Sequence, residues 1–200
     1  RRTRFRGQRD IYIRIEEEQS FGKSGDRVVV EEFLTGTEFI LDYLLIDGEP
    51  HLLSMADRYT IEGRGAAINS CNLMILPSKN LPKYSADVDP KVKNMFQSLG
   101  FKDGLIFMQG FGSQRRIAFY EMGCRLGGTW PYIDEYFTGL NPMDALFCHC
   151  LTGKMLPEDA KCRISPFFNG KAAAIYFLAK DTKGKIAKIK GVNDLEKYPW

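Results

Sequence analysis

The sequence predicts an α+β fold: a mostly antiparallel sheet with helices packed against it. Three observations carry this. Thr37–Ile46 reads as a strand, and Asp47-Gly48 turns it back into Glu49–Tyr59. Leu105–Gln109 and Arg116–Met122 form a second antiparallel pair around Gly110-Phe111-Gly112-Ser113. Two helical segments, Pro90–Leu99 and Asn141–Thr152, are bounded by their own start and stop residues and do not alternate with strands in a βαβ pattern.

The elements follow in chain order. Residues 10–21 are expected to be weakly helical, with Asp10 as cap and Glu16-Glu17-Glu18 exposed, and Ser20–Asp26 is expected to turn. Arg27–Leu34 is a strand built on Val28-Val29-Val30. In Thr37–Ile46, Phe39, Leu41, Tyr43 and Leu45 alternate with Glu38, Ile40, Asp42 and Leu44. Residues 61–87 read as irregular, with one short apolar run at Leu73–Leu76. Asp89 is placed to cap the helix Pro90–Leu99, with Val92, Met95, Phe96 and Leu99 as its buried face and Gly100 as its stop. In Asn141–Thr152 the cap is Asn141, Pro142 takes the first helical position and Gly153 ends the helix. Met143, Leu146, Phe147, Cys150 and Leu151 give that helix one apolar stripe. Ala172–Lys180 and Lys185–Lys190, joined by Thr182-Lys183-Gly184, are the last expected strands. Leu156–Phe168 is the nearest thing to a linker and suggests a small C-terminal lobe.

The chain has 200 residues, 44% of them hydrophobic and 26% charged, which excludes a disordered chain, a collagen and a disulfide-dense mini-protein. No apolar run approaches the ~20 residues of a membrane span. The start of the chain is basic and carries no secretory signal, although it opens on Arg1 and a preceding stretch is expected. The net charge of +3 is concentrated in Arg1, Arg2, Arg4, Arg6 and Arg9, and the remaining chain is slightly acidic. A nucleic-acid binder carries its positive charge on the folded body, so nucleic acid is not expected as a partner. The five cysteines, Cys71, Cys124, Cys148, Cys150 and Cys162, are odd in number and contain no C-x-x-C pair, which points to a reducing, cytoplasmic setting. Cys148-His149-Cys150 is not read as a zinc site, because the apolar stripe turns Cys150 inward and leaves Cys148 and His149 off it.

Several catalytic patterns fail. Gly110-Phe111-Gly112 would need a third glycine where Arg115 stands, and a strand follows it rather than a helix. No P-loop is present, and neither His51 nor His149 has a G-x-S-x-G companion. Two stretches remain. In Val30-Glu31-Glu32-Phe33-Leu34-Thr35-Gly36-Thr37-Glu38 a short connection between strands carries carboxylates at both ends. Its backbone can pair with a flat heterocycle, one carboxylate can accept from an exocyclic amine, and Glu38 can accept from vicinal hydroxyls. In Glu121-Met122-Gly123-Cys124-Arg125-Leu126-Gly127-Gly128, a strand-end acid, an arginine four residues on and paired glycines suit a hard cation and phosphate oxygens. Gln109, at the end of the partner strand, offers another oxygen. Either stretch alone is equally a set of exposed strand-end charges.

Together, in this order, the two stretches resemble the hinge and metal motifs of the ATP-grasp superfamily, from about Val28 to Gly153. The resemblance implies an ATP-grasp C-terminal subdomain whose cofactors are ATP and Mg²⁺. Glu31 would accept from the adenine amine, the backbone of Glu32, Phe33 and Leu34 would pair with the ring edge, and Glu38 would hold the ribose. Glu121 and Gln109 would be metal ligands, and Arg125 would steady a phosphate; Asp57 and Arg58 are weaker candidates for the same cleft. Gly123 departs from the family pattern, which has Asn there. The chain would be the C-terminal part of a longer ligase. Residues 1–26 would be a remnant of the preceding lobe, 27–155 the nucleotide and metal core, and 156–200 a small strand-rich lobe. Such a ligase activates a small-molecule carboxylate as an acyl phosphate for attack by an amine or a thiol. The missing N-terminal domain would be a partner in the same polypeptide, and the chain alone would not turn over. The surface that domain leaves would be covered by the basic arm or by a second copy of the chain. The rival readings are a degenerate, non-catalytic nucleotide-binding module and a nucleic-acid binder working through the arginine-rich start.

Overall fold

A computed structural model describes residues 2–3, 11–15, 28–60, 71–113, 115–127, 131–155, 164–167, 172–175, 184–185 and 187–188. The chain divides into two compact units, Arg1–Gly36 and Thr37–Trp200. The first holds a three-stranded antiparallel sheet of β1 (Arg2–Thr3), β2 (Ile11–Ile15) and β3 (Val28–Glu32), in that order. β2 replaces the helix expected over 10–21. Ile11, Tyr12, Ile13 and Ile15 are β-branched or aromatic, and pairing with β3, Ile13 opposite Val30, decides for the strand over the acidic run that follows. The turn expected over 20–26 lies outside the described residues.

The second unit is built on a six-stranded antiparallel sheet in the order β8-β7-β4-β5-β6-β9. Its strands are β4 (Thr37–Ile46), β5 (Glu49–Thr60), β6 (Cys71–Leu76), β7 (Gly104–Gly112), β8 (Ile117–Gly123) and β9 (Ala172–Ile175). Its helices are α1 (Leu81–Asp87), α2 (Asp89–Ser98), α3 (Pro131–Thr138) and α4 (Pro142–Thr152). Alternate residues of a strand face opposite sides, and here both sides are covered. Phe39, Leu41, Tyr43 and Leu45 pack with Leu81 and Tyr84 of α1 and with Val92 and Phe96 of α2. On the other side Leu44 and Ile46 pack with Leu140 and with Ala145 of α4, while Ile40, Ala56 and Phe107 meet Ile133 of α3. β4 is thus buried on both faces, which is why its sequence is apolar beyond strict alternation.

Two bulges change which residues share a face. One lies where Asp42 pairs with Ser54 but Tyr43 pairs with Leu52, so Leu53 is the extra residue. The other lies where Gln109 pairs with Glu121 but Gly110 pairs with Phe119, so Tyr120 is the extra residue.

Several expectations are corrected. α1 stands in the stretch read as irregular; it is short, and Pro82 at its first turn starts it. Asp89 does not cap α2; Val88 holds that position without a side-chain bond, and Asp89 lies in the first turn, bonding to the Tyr43 hydroxyl and to Lys93 Nζ at 2.9 Å. Val92 and Phe96 are buried as expected, but Met95 and Leu99 are exposed. β7 runs through Gly110–Gly112, and the turn is instead closed by Ser113 N donating to the Arg116 carbonyl at 2.8 Å. α3 was not anticipated. α4 has the expected ends: Asn141 Oδ1 accepts from Met143 N at 2.9 Å, and Gly153 takes the left-handed conformation at φ 76°. Its buried side is Pro142 and Ala145, however, and Phe147, Cys150 and Leu151 point outward at the stripe expected to be inside. β9 begins where a strand was expected and pairs with β6; residues 176–183 lie outside the description, and Gly184, Lys185, Ala187 and Lys188 belong to no strand. Among the described residues no helix is long and apolar enough to cross a membrane.

Candidate functional site

The adenine-side residues named by sequence lie in the first unit. Glu31 and Glu32 are the last residues of β3, opposite Tyr12 and Ile11, and Phe33 and Leu34 follow as irregular, half-buried chain. The other candidates, Glu38, Gln109, Glu121 and Arg125, all lie in the second unit.

There the sheet gathers a polar cluster on its α3–α4 side, beyond the end of the helices' apolar contact. Glu38 Oε1 accepts from Arg58 Nη1 at 2.6 Å and from the Tyr120 hydroxyl at 2.5 Å. That hydroxyl also lies 3.1 Å from Gln109 Oε1. The Glu38 and Arg58 side chains are only 15% and 16% exposed, so the ion pair is shielded from water and is stronger than a surface pair. Burial and the Glu38 carboxylate together push the Tyr120 phenol upward, keeping it a neutral donor. Cys71, at the start of β6, lies in the same charge field: burial raises its thiol and Arg58 opposes the rise.

The β4–β5 register explains Arg58. Counting pairs outward from the Asp47-Gly48 turn sets Asp57 opposite Glu38. The bulge at Leu53 moves the register by one, so Asp57 pairs with Phe39 and Arg58 comes to Glu38. Of the Asp57–Arg58 pair, Asp57 therefore does not share this cleft. It is buried and accepts from Ser78 Oγ at 2.6 Å and from the Lys79 amide at 3.4 Å.

Glu121 lies across from Gln109 in the β7–β8 ladder. The two supply adjacent oxygens, one charged and one neutral, of the kind Mg²⁺ takes alongside substrate phosphates and waters. No three His, Cys, Asp or Glu side chains converge among the described residues. Arg125 Nη2 sits 4.0 Å from Glu121 Oε1, and its guanidinium lies over the Phe107 ring, 4.1 Å from the centroid. Phe107 pairs with Gly123, where a Cβ would come within 2.3 Å of the Phe107 ring.

Sequence reasoning missed a further group. Asp42 and Ser54, paired across β4 and β5, and Asp134 of α3 are all fully buried, and among the described residues their side-chain oxygens make no hydrogen bond of ordinary geometry. Burial, then the neighbouring Asp134, holds Asp42 well above the ordinary carboxylate range, with the Gly127 backbone and Arg125 pulling the other way. Burial lifts Asp134 to about 7, eased by Ser54. Asp42 reads as a routine strand acid, and α3 has to be known before Asp134 can be placed above it.

No family model and no curated protein matches the chain. Solved structures do. L-amino acid ligase from Bacillus licheniformis is similar at a TM-score of 0.64 and 22% identity, over 86% of this chain and 42% of that one. Phosphoribosylglycinamide synthetase from Anaerococcus prevotii is similar at 0.60 and 15% identity, over 79% and 39%. The biotin carboxylase domain of Hydrogenobacter thermophilus 2-oxoglutarate carboxylase, solved with MgADP, ADP and bicarbonate, is similar at 0.54 and 16% identity, over 73% and 31%. The chain thus spans less than half the length of these neighbours, and the fold it shares with them is the ATP-grasp fold.

Proposed function

We propose that this chain is the ATP- and Mg²⁺-binding part of a ligase that joins a carboxylate to an amine or a thiol. The observation that supports this most is the shielded Glu38 carboxylate, fixed through Oε1 by Arg58 and Tyr120 beside the oxygens of Gln109 and Glu121. A carboxylate whose one oxygen is held in place presents the other in a set direction to a vicinal diol. On this reading Glu38 holds the ribose, and Glu31, with the backbone of Glu32, Phe33 and Leu34, takes the adenine. Glu121 and Gln109 hold Mg²⁺, and Arg125 meets the phosphates. In the complete enzyme a carboxylate oxygen attacks the γ-phosphorus and ADP leaves. The amine or thiol then attacks the acyl carbon, phosphate departs with the C–O electrons, and the nucleophile gives up its proton. Positioning and charge neutralisation carry such chemistry, which suits a site without a protein nucleophile. The remainder of the longer protein supplies the acceptor pocket and the second clamp on the phosphates.

A second reading, a nucleotide-binding module without catalysis, is favoured by Gly123, which offers no ligand where the family pattern has Asn. Calorimetry separates the two. The ligase reading expects ATP to bind more tightly with Mg²⁺ than without it, and Glu121→Gln to remove that gain while sparing adenosine. Glu38→Ala should weaken AMP, ADP and ATP alike by roughly ten- to hundredfold, the loss of charge-assisted bonds to the ribose. Unchanged affinity in Glu38→Ala rejects the ribose assignment, and an unchanged metal response in Glu121→Gln makes Glu121 a strand-end acid.

A further inference from the structure

Gly123 looks like a lost metal ligand when the sequence is set against the family pattern. The structure gives the position a different task. Its backbone is not in the left-handed region, so φ does not demand glycine there. Space does: a Cβ would lie 2.3 Å from Phe107 Cε1 and 2.9 Å from Cδ1. Phe107 is 3% exposed and packs among Ile40, Ala56, Met74 and Leu76, so the ring has little room to retreat. The ring fills the place where a side chain at 123 would stand, and its face carries the Arg125 guanidinium.

We propose that Phe107 and Gly123 form a positioning pair for Arg125, with an aromatic platform standing where a second metal ligand would be. This rests on the reading above that Arg125 meets nucleotide phosphates. A guanidinium that is 60% exposed and attached by a long flexible stem loses much rotamer freedom on meeting an anion. Stacking on Phe107, with Nη1 donating to the Leu126 carbonyl at 3.0 Å and Glu121 Oε1 4.0 Å from Nη2, restricts that freedom beforehand. A fixed positive charge then takes over part of the neutralisation that a second Mg²⁺ would supply. The anion that fits is a nucleoside di- or triphosphate whose outer phosphates carry one metal ion.

Adenosine and ADP binding to the whole chain, measured by calorimetry with Mg²⁺, test this. The readout is the gain in affinity that the phosphates bring. Phe107→Leu keeps an apolar side chain but removes the π-face, and Gly123→Ala pushes the ring from the opposite side. Each should cut the phosphate gain by about three- to tenfold and leave adenosine unchanged. Arg125→Lys, at a side chain 60% exposed, keeps the charge but not the stacking plane. It should lose the gain as well, and adding Phe107→Leu to it should cost nothing more. Proton NMR gives a readout independent of nucleotide: the Arg125 side-chain resonances should be shifted upfield by the ring in wild type and return to ordinary positions in Phe107→Leu. A wild-type phosphate gain that survives in Phe107→Leu and Gly123→Ala overturns the inference alone. A wild type that gains nothing from phosphates overturns the nucleotide reading and the role of Arg125 with it.

Discussion

The two faces of one sheet differ in kind. On the side of α1 and α2 the interior is aromatic and the tyrosine hydroxyls within it are paired. Tyr43 meets Phe96 edge-on at 5.2 Å, Phe96 meets Phe101 at 6.1 Å, and the Tyr43 hydroxyl reaches the Tyr84 hydroxyl at 2.7 Å and Asp89. On the side of α3 and α4 Asp42, Ser54 and Asp134 are buried without a hydrogen bond of ordinary geometry among the described residues, and further along lie Glu38, Arg58, Gln109, Tyr120 and, just past β8, Arg125. One face is packed for stability. The other carries charges that are costly to bury, close to the residues that would meet a ligand.

The largest test of this contrast is Phe96→Ala. Phe96 is fully buried between two rings, and its loss should cost about 3–5 kcal/mol in urea unfolding. A cost under 1 kcal/mol would mean that the α1–α2 face is not the stable one.

The next test is of sign. Asp134 is lifted to about 7 from 3.8, so the folded protein holds its proton more tightly than the unfolded chain does. Its contribution is therefore fully present below about pH 4 and is lost as the pH rises through 7. Asp42, raised in the same direction, adds to the slope. Asp134→Asn should flatten the fall in stability between pH 4.5 and 8, leaving the variant more stable than wild type at pH 8 by about 2–4 kcal/mol. A wild type whose stability is level, or rises, across that range would show that these carboxyls find partners in solution.

Smaller effects sharpen the contrast within the α3–α4 side. Asn141→Ala removes the bond to Met143 N and should cost about 1 kcal/mol by thermal melting. Phe147→Ser, at a side chain 60% exposed, should change stability by less than about 0.5 kcal/mol. A larger loss would show the outward side of α4 to be covered in solution.

What the sequence showed follows the range over which each signal acts. The β4–β5 hairpin and both ends of α4 were legible because Asp47-Gly48, Asn141, Pro142 and Gly153 act within a few residues. α1 and α3 span 7 and 8 residues, too short for a periodic stripe to stand out, and only the short connection Pro77–Asn80 separates α1 from β6. The stripe of α4 misled because periodicity marks an apolar side without saying what covers it. At the site, Glu38, Gln109 and Glu121 were readable as strand-end oxygens, and the ladder brings Gln109 and Glu121 face to face. That Arg58 reaches Glu38 while Asp57 turns away depends on one extra residue, Leu53, which alternation cannot reveal. Asp42 and Asp134 were invisible because their encounter joins a strand to a helix 92 positions further along.

Tyr120 occupies the second bulge, and its presence sets the phase of everything after it in β8. Phe119, opposite Gly110, packs with the aromatic interior, whereas Glu121, opposite Gln109, faces the polar cleft, although two residues apart they would share a side in a regular strand. Substituting Tyr120 therefore removes one hydroxyl, but closing the bulge with Tyr120 kept in the ladder opposite Gln109 would act as a frameshift in three dimensions. Glu121 would turn into the aromatic layer, and Gly123, now facing away from Phe107, would no longer leave the ring its space. In this strand the irregular step of the backbone is as much a part of the site as the identity of its side chains.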